Sequence, residues 1–137
     1  MELTKRESAY FEIAKTMSKL SDHKQKLGCV VVNKHHVIST GHNSQSKIHA
    51  IQAKIDQKRF GGFYHRGCVH AETDALIPLI KDNVDLTNAS IYIFRAHKNG
   101  ANALARPCPG CESLIRACGI KKVYYTTENS YTKEVML

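Results

Sequence analysis

Residues 90–127, SIYIFRAHKNGANALARPCPGCESLIRACGIKKVYYTT, decide the architecture of this chain. Ser90-Ile91-Tyr92-Ile93-Phe94 is a β-prone apolar run, and Ile120 to Thr127 supplies a second one. Between them lies a loop of small residues, His97 to Arg106, and then a helix. Pro109 suits the first helical position, where its missing N–H costs nothing, and Gly119 is placed to end the helix. Strand, helix, strand in this order describes a crossover between parallel strands, right-handed by the general rule. The chain therefore reads as α/β.

Working outward, Leu27-Gly28-Cys29-Val30-Val31-Val32 and Val37-Ile38-Ser39-Thr40 flank Asn33-Lys34-His35-His36 as a β-hairpin. Ahead of it, Leu3, Tyr10, Ile13, Ala14, Met17 and Leu20 recur at helical spacing, and Thr4-Lys5-Arg6-Glu7 has the form of a capping box. A second helix fits His70 to about Ile80, with Ala71, Ala75, Leu76, Leu79 and Ile80 as its apolar face and Pro78 weakening its last turn. Residues 42–66 are polar and basic, with at most a short helix around Ile48 to Ile55. So long a connection is usually functional. Only ten residues follow Thr127, so Tyr131 to Met136 is expected to return as an antiparallel edge strand. The sum is one domain over residues 1–137, a three-layer α/β/α arrangement on a mixed sheet of about five strands.

Composition agrees. The chain has 137 residues, 42% hydrophobic and 23% charged, which is globular and leaves no room for a second domain. No stretch is apolar enough to span a membrane or to resemble a secretory signal, so a cytoplasmic location is expected. The formal charge of +8 favours anionic ligands such as nucleotides or nucleic acid. Five cysteines, two of them in Cys108-Pro109-Gly110-Cys111, fit a metal or redox site better than a disulfide scaffold.

His70-Ala71-Glu72 opens one predicted helix and Pro107-Cys108-Pro109-Gly110-Cys111 opens the next. Three soft or borderline ligands, His70, Cys108 and Cys111, thus meet at two helix N-termini, and three ligands leave a fourth tetrahedral position of Zn²⁺ open for water. Positive helix ends also depress thiol pKa values. A Cys-x-x-Cys alone reads equally as a redox pair or half a structural zinc site; the His-x-Glu decides for catalysis. Residues two apart on a helix point in nearly opposite directions, so His70 and Glu72 share a site only off the helix end. Glu72 is placed to take a proton from water and pass it on.

His70-x-Glu72 with Pro107-Cys108-x-x-Cys111 resembles the signature of the zinc-dependent nucleobase deaminases. Gly41-His42-Asn43 is similar to that family's Gly-x-Asn, and Cys111 through Tyr125 to its helix and strand after the cysteines. The resemblance implies a cytidine-deaminase-like fold, a zinc-activated water attacking the carbon that bears the exocyclic amine, and proton transfer by Glu72 to the ring nitrogen and departing ammonia. It also implies substrate contacts from Asn43 and from the backbone N–H groups of Ala71 and Cys108, and self-association into a homo-oligomer. Lys58-Arg59-Phe60-Gly61-Gly62-Phe63-Tyr64-His65-Arg66 interleaves aromatic and basic residues like a base-stacking, anion-binding lid, or else a glycine-hinged loop with its rings in the core. Tyr64 and Arg66 are its candidate contacts, and Arg106, directly before Pro107, is another near the pocket mouth. Cys29 and Cys118 read as core residues, and Cys68 as a packed thiol or, with His65, part of a second metal site.

Among branches, a His first ligand resembles the deoxycytidylate, guanine, tRNA-adenosine and polynucleotide-cytidine deaminases. Gly110 and Glu112-Ser113-Leu114 depart from the tRNA-adenosine pattern, and a chain without Trp departs from the polynucleotide one. The deoxycytidylate deaminases are the nearest likeness, although Gly41-His42-Asn43-Ser44 departs from their Gly-Tyr-Asn-Gly and the short ending resembles the free-cytidine branch. A polynucleotide, another amino-heterocycle, and a non-catalytic zinc module that binds nucleic acid are the alternatives.

Overall fold

The computed structural model describes residues 1–45 and 69–136. The short helix expected near Ile48 to Ile55 and the basic, aromatic segment with Tyr64, His65, Arg66 and Cys68 lie outside those residues.

Among the described residues, three helices and five strands follow one another as α1 (Lys5–Ser18), β1 (Leu27–Asn33), β2 (His36–His42), α2 (Ala71–Lys81), β3 (Ala89–Arg95), α3 (Pro109–Ala117), β4 (Lys122–Thr127) and β5 (Ser130–Val135). The sheet order is β2-β1-β3-β4-β5. β3 and β4 are parallel, joined through α3, and every other pairing is antiparallel, including the edge strand β5 expected from the short C-terminal tail.

Strand alternation sorts the side chains between two cores. Cys29 and Val31, Ile91 and Ile93, and Val123 and Tyr125 pack with α2 and α3 on one face. Val30 and Val32, Tyr92 and Phe94, and Tyr124 pack with α1 on the other. The second core is aromatic: Tyr92 and Tyr124 stack at 4.3 Å with planes 7° apart, and Phe11 meets Tyr92 edge-on at 5.3 Å. Contacts of this kind add about 0.5–1.5 kcal/mol each beyond the area they bury.

The capping box at Thr4 forms as read, with Glu7 N–H donating to Thr4 Oγ1 and Thr4 N–H to Glu7 Oε1. The buried face of α1 differs from the sequence reading. Tyr10, Phe11, Ala14 and Ser18 face the sheet, while Ile13 is 36% exposed and Leu20 61% exposed. Gly28 explains the rotation: a Cβ there would lie 1.8 Å from the Ala14 carbonyl oxygen and 2.5 Å from the Ser18 nitrogen. The helix backbone rests directly on β1 at Ala14 and Ser18, where small residues turn inward. In α2, Pro78 removes one backbone donor, yet the helix runs on to Lys81.

The segment after β3 is more ordered than a plain loop. Ala96 and Asn102 form a β-bridge around a tight turn, His97 N–H donating to the Ala101 carbonyl at 2.8 Å. The chain then runs back beside the strand ends, with Ala103 N–H on the Arg95 carbonyl and Ala105 N–H on the Thr126 carbonyl. The buried Thr126 hydroxyl donates to the Ala103 carbonyl at 2.7 Å. This strap delivers Pro107 and Cys108 to the start of α3.

Candidate metal centre

Two helix N-termini meet on one face of the sheet. His70 is the N-cap of α2, with extended backbone (φ −82°, ψ 157°), and its side chain makes no capping bond. Because it stands outside the helix proper, its ring and the Glu72 side chain escape the opposition that two helical residues would have. Cys108 is the N-cap of α3, again extended, and its sulfur accepts the Cys111 backbone N–H at 3.5 Å.

His70 Nδ1 lies 3.3 Å from Cys111 Sγ and 3.7 Å from Cys108 Sγ, and the three ligand atoms lie within 4.8 Å of one another. A tetrahedral zinc ion with ordinary Zn–N and Zn–S bonds sets its ligand atoms about 3.5–3.8 Å apart. The donor set and its spacing fit the ion. His70 and Cys108 are half-buried and Cys111 is fully buried, so the group opens to one side.

The electrostatics fit as well. The hydrogen bond from the Cys111 thiol, with help from His70, holds the Cys108 thiol well below the ordinary range, against a smaller opposing effect of burial. Its hydrogen bond to Cys108 and then burial raise Cys111. Without metal the two sulfurs therefore share one proton, held on Cys111. Glu72, 4% exposed in the first turn of α2, has its carboxyl raised above the ordinary range by burial, partly countered by His70 and Cys111.

Two strand features bring the rest of the site into place. Ser44 and Val69 exchange backbone hydrogen bonds at 2.8 and 3.0 Å, which fastens the end of β2 to the residue before His70. Gly41 lets α2 lie against β2: a Cβ there would meet the Ala71 carbonyl oxygen at 2.5 Å and the Ala75 nitrogen at 2.6 Å. Ala71, fully buried, is the first residue of α2, and the N–H groups of a first turn have no intrahelical acceptor.

Asn43 is buried, and its amide is already engaged. Its Oδ1 accepts from Ser21 Oγ at 2.6 Å and from Leu27 N–H at 2.9 Å, and its Nδ2 donates to the Gln25 carbonyl at 2.6 Å. These bonds take both acceptor positions and one of the two donors. Arg106 turns to two carboxylates, with Nη2 3.3 Å from Glu134 Oε1 and 3.6 Å from Glu112 Oε1. Cys29 is core, as read; Cys118 caps the end of α3, packed against the core but half-buried. No helix among the described residues is long and apolar enough to cross a membrane.

The sequence reading missed Thr73, fully buried with Oγ1 4.0 Å from Cys111 Sγ, and Ser21, which holds Asn43. Thr73 was within reach of pattern reasoning, because it lies three residues beyond His70. Ser21 was not, since nothing local links it to Asn43.

Comparison with known proteins agrees with this geometry. Residues 4–127 match the family described as the cytidine and deoxycytidylate deaminase zinc-binding region. The deoxycytidylate deaminase of Mycobacterium phage D29 is 32% identical, over 88% of this chain and 93% of that protein. The dCMP deaminase of cyanophage S-TIM5 has a similar fold, with TM-score 0.65 at 24% identity over 90% of this chain and 84% of that one. So has a cytidine deaminase from Burkholderia pseudomallei, with TM-score 0.64 at 17% identity over 97% of this chain and 93% of that one. The mixed five-stranded sheet, the His70, Cys108 and Cys111 cluster and the match across residues 4–127 converge: the chain belongs to the cytidine and deoxycytidylate deaminase family, and its cofactor is zinc.

Proposed function

We propose that residues 1–137 act as one deaminase domain that hydrolyses the exocyclic amine of a cytosine nucleotide or nucleoside, deoxycytidine monophosphate first, to give the uracil form and ammonia. The observation that carries the reading is the buried Glu72 beside His70, Cys108 and Cys111 at two joined helix N-termini. His70, Cys108 and Cys111 would hold the zinc ion. Bound there, zinc supplies Lewis-acid activation of a water.

Glu72 carries the protons. The carboxylate takes one proton from the attacking water and passes it to the ring nitrogen, then takes the second proton from the newly added hydroxyl and passes it to the departing amine, and burial favours the protonated form through which it passes. Around it, the backbone N–H groups of Ala71, the first residue of α2, and of Cys108, the N-cap of α3, are donors for the base, and the remaining amide N–H of Asn43 is a donor for base or sugar. The other three bonds of Asn43 hold that donor in place. Arg106 would have to leave Glu134 and Glu112 to reach a phosphate, so we assign that task to Arg66, with Tyr64 as the stacking ring. The choice of a deoxycytidylate substrate rests on the phage D29 relative and on a net charge of +8 that attracts anions.

The test is a substrate panel. Zinc-loaded protein is given cytidine, deoxycytidine, their monophosphates, adenosine, guanine and single-stranded oligonucleotides, and product mass is followed. Deoxycytidine monophosphate should lose its amino group, and Glu72→Gln should lower turnover at least about 100-fold while keeping zinc and fold. Turnover of oligonucleotides alone would move the substrate to a polynucleotide. Zinc binding without turnover of any compound, and indifference to Glu72→Gln, would overturn the enzyme reading. Light scattering on the same samples tests the expected homo-oligomer.

A further inference from the structure

We propose that Thr73 is a positioning residue of the metal centre, its hydroxyl donating a hydrogen bond to the Cys111 sulfur and so setting how tightly zinc is held. The inference rests on the reading of His70, Cys108 and Cys111 as the zinc ligands. Thr73 is the third residue of α2, and both its hydroxyl and the imidazole of the N-cap His70 approach the Cys111 sulfur. Thr73 is fully buried, and Oγ1 stands 4.0 Å from Cys111 Sγ, within reach of a sulfur acceptor.

The two cysteines are served differently. Cys108 sulfur takes a backbone N–H from its own helix, that of Cys111, at 3.5 Å. Cys111 is the more deeply buried, and the hydroxyl beside its sulfur belongs to the neighbouring helix. A thiolate buried without a donor is costly, and a hydrogen bond to a ligating sulfur both offsets that cost and fixes the sulfur's direction. Thr73 therefore couples α2 to α3 through the metal site as well as through the core. His70 gives the same helix pair a ligand on one side, and Thr73 supports the ligand on the other.

Competition with a chromophoric chelator measures the test. Wild type should bind one zinc ion, and Cys111→Ser should bind it far more weakly. Thr73→Val, equal in shape but without the hydroxyl, should weaken zinc binding about 10-fold or more, the scale of a lost outer hydrogen bond. Thr73→Ser should stay within about threefold of wild type, since it keeps the donor. In cobalt-loaded protein the sulfur-to-metal charge-transfer band of Thr73→Val should move to lower energy, which a mere packing defect would not cause. Thr73→Ala serves if the valine variant does not fold. Wild-type affinity and an unmoved band in Thr73→Val, or a serine variant as weak as the valine one, overturn the inference. If Cys111→Ser binds zinc as wild type does, the ligand reading has failed, and this inference with it.

Discussion

Substitution of Gly41 by alanine tests whether the close seat of α2 on β2 sets the site. The new Cβ would stand 2.5 Å from the Ala71 carbonyl oxygen and 2.6 Å from the Ala75 nitrogen. Those are backbone atoms one i, i+4 step apart in α2, so no side chain can swing aside to make room. To reach the 3.4 Å of an ordinary contact, β2 and the first turn of α2 must part by about 0.9 Å. Overpacking of this kind costs about 1–3 kcal/mol, which in a domain of this size lowers the melting temperature by roughly 4–12 °C. The same displacement moves His70 and Glu72 relative to Cys108 and Cys111, which ride on α3. A misplacement near 1 Å costs about 100-fold in rate. Gly41→Ala should therefore melt earlier, hold zinc more weakly by chelator competition, and turn over the proposed substrate 10- to 100-fold more slowly. A variant with wild-type melting temperature, zinc affinity and rate would refute the claim that this contact positions the site.

Zinc uptake should release about one thiol proton at neutral pH, because metal-free Cys108 is already a thiolate while Cys111 keeps its proton. Affinity should then fall about tenfold for each pH unit of acidification; titration of Glu72→Gln protein in buffers of different ionisation enthalpy reads the count, and two protons would contradict the assigned charge state. Ser21→Ala should destabilise the protein by about 1–2 kcal/mol, since it deprives buried Asn43 Oδ1 of a 2.6 Å donor. Chemical denaturation measures this, and a change below about 0.5 kcal/mol would remove Ser21 from the support of Asn43.

The fold was legible where local rules coincide. Thr4 and Glu7 announce the start of α1, Pro109 and Gly119 bracket α3, and alternation in Ile91 to Phe94 assigns each residue to its face. The candidate cluster was legible because His70-x-Glu72 and Cys108-x-x-Cys111 are short-range patterns, each at the start of a helix. The inward face of α1 was not, because it depends on Gly28, a residue of another element that lets the helix come close. The engagement of Asn43 by Ser21, Gln25 and Leu27 was equally hidden, since a Gly-x-Asn turn has the same sequence whether its amide faces a ligand or braces a loop. The two carboxylates on Arg106 belong to α3 and β5, and only the completed sheet brings Glu134 beside it.

The hydrogen-bonded pair Ser44 and Val69 gives the site an evolutionary hinge point. Twenty-four residues separate Ser44 from Val69 in the sequence. The entropy of closing such an excursion grows only by about 0.6 kcal/mol for each doubling of its length. Insertions and deletions there leave His70 and Asn43 anchored by the same two backbone bonds. The length of chain between Ser44 and Val69 can therefore change without moving the residues on either side of it.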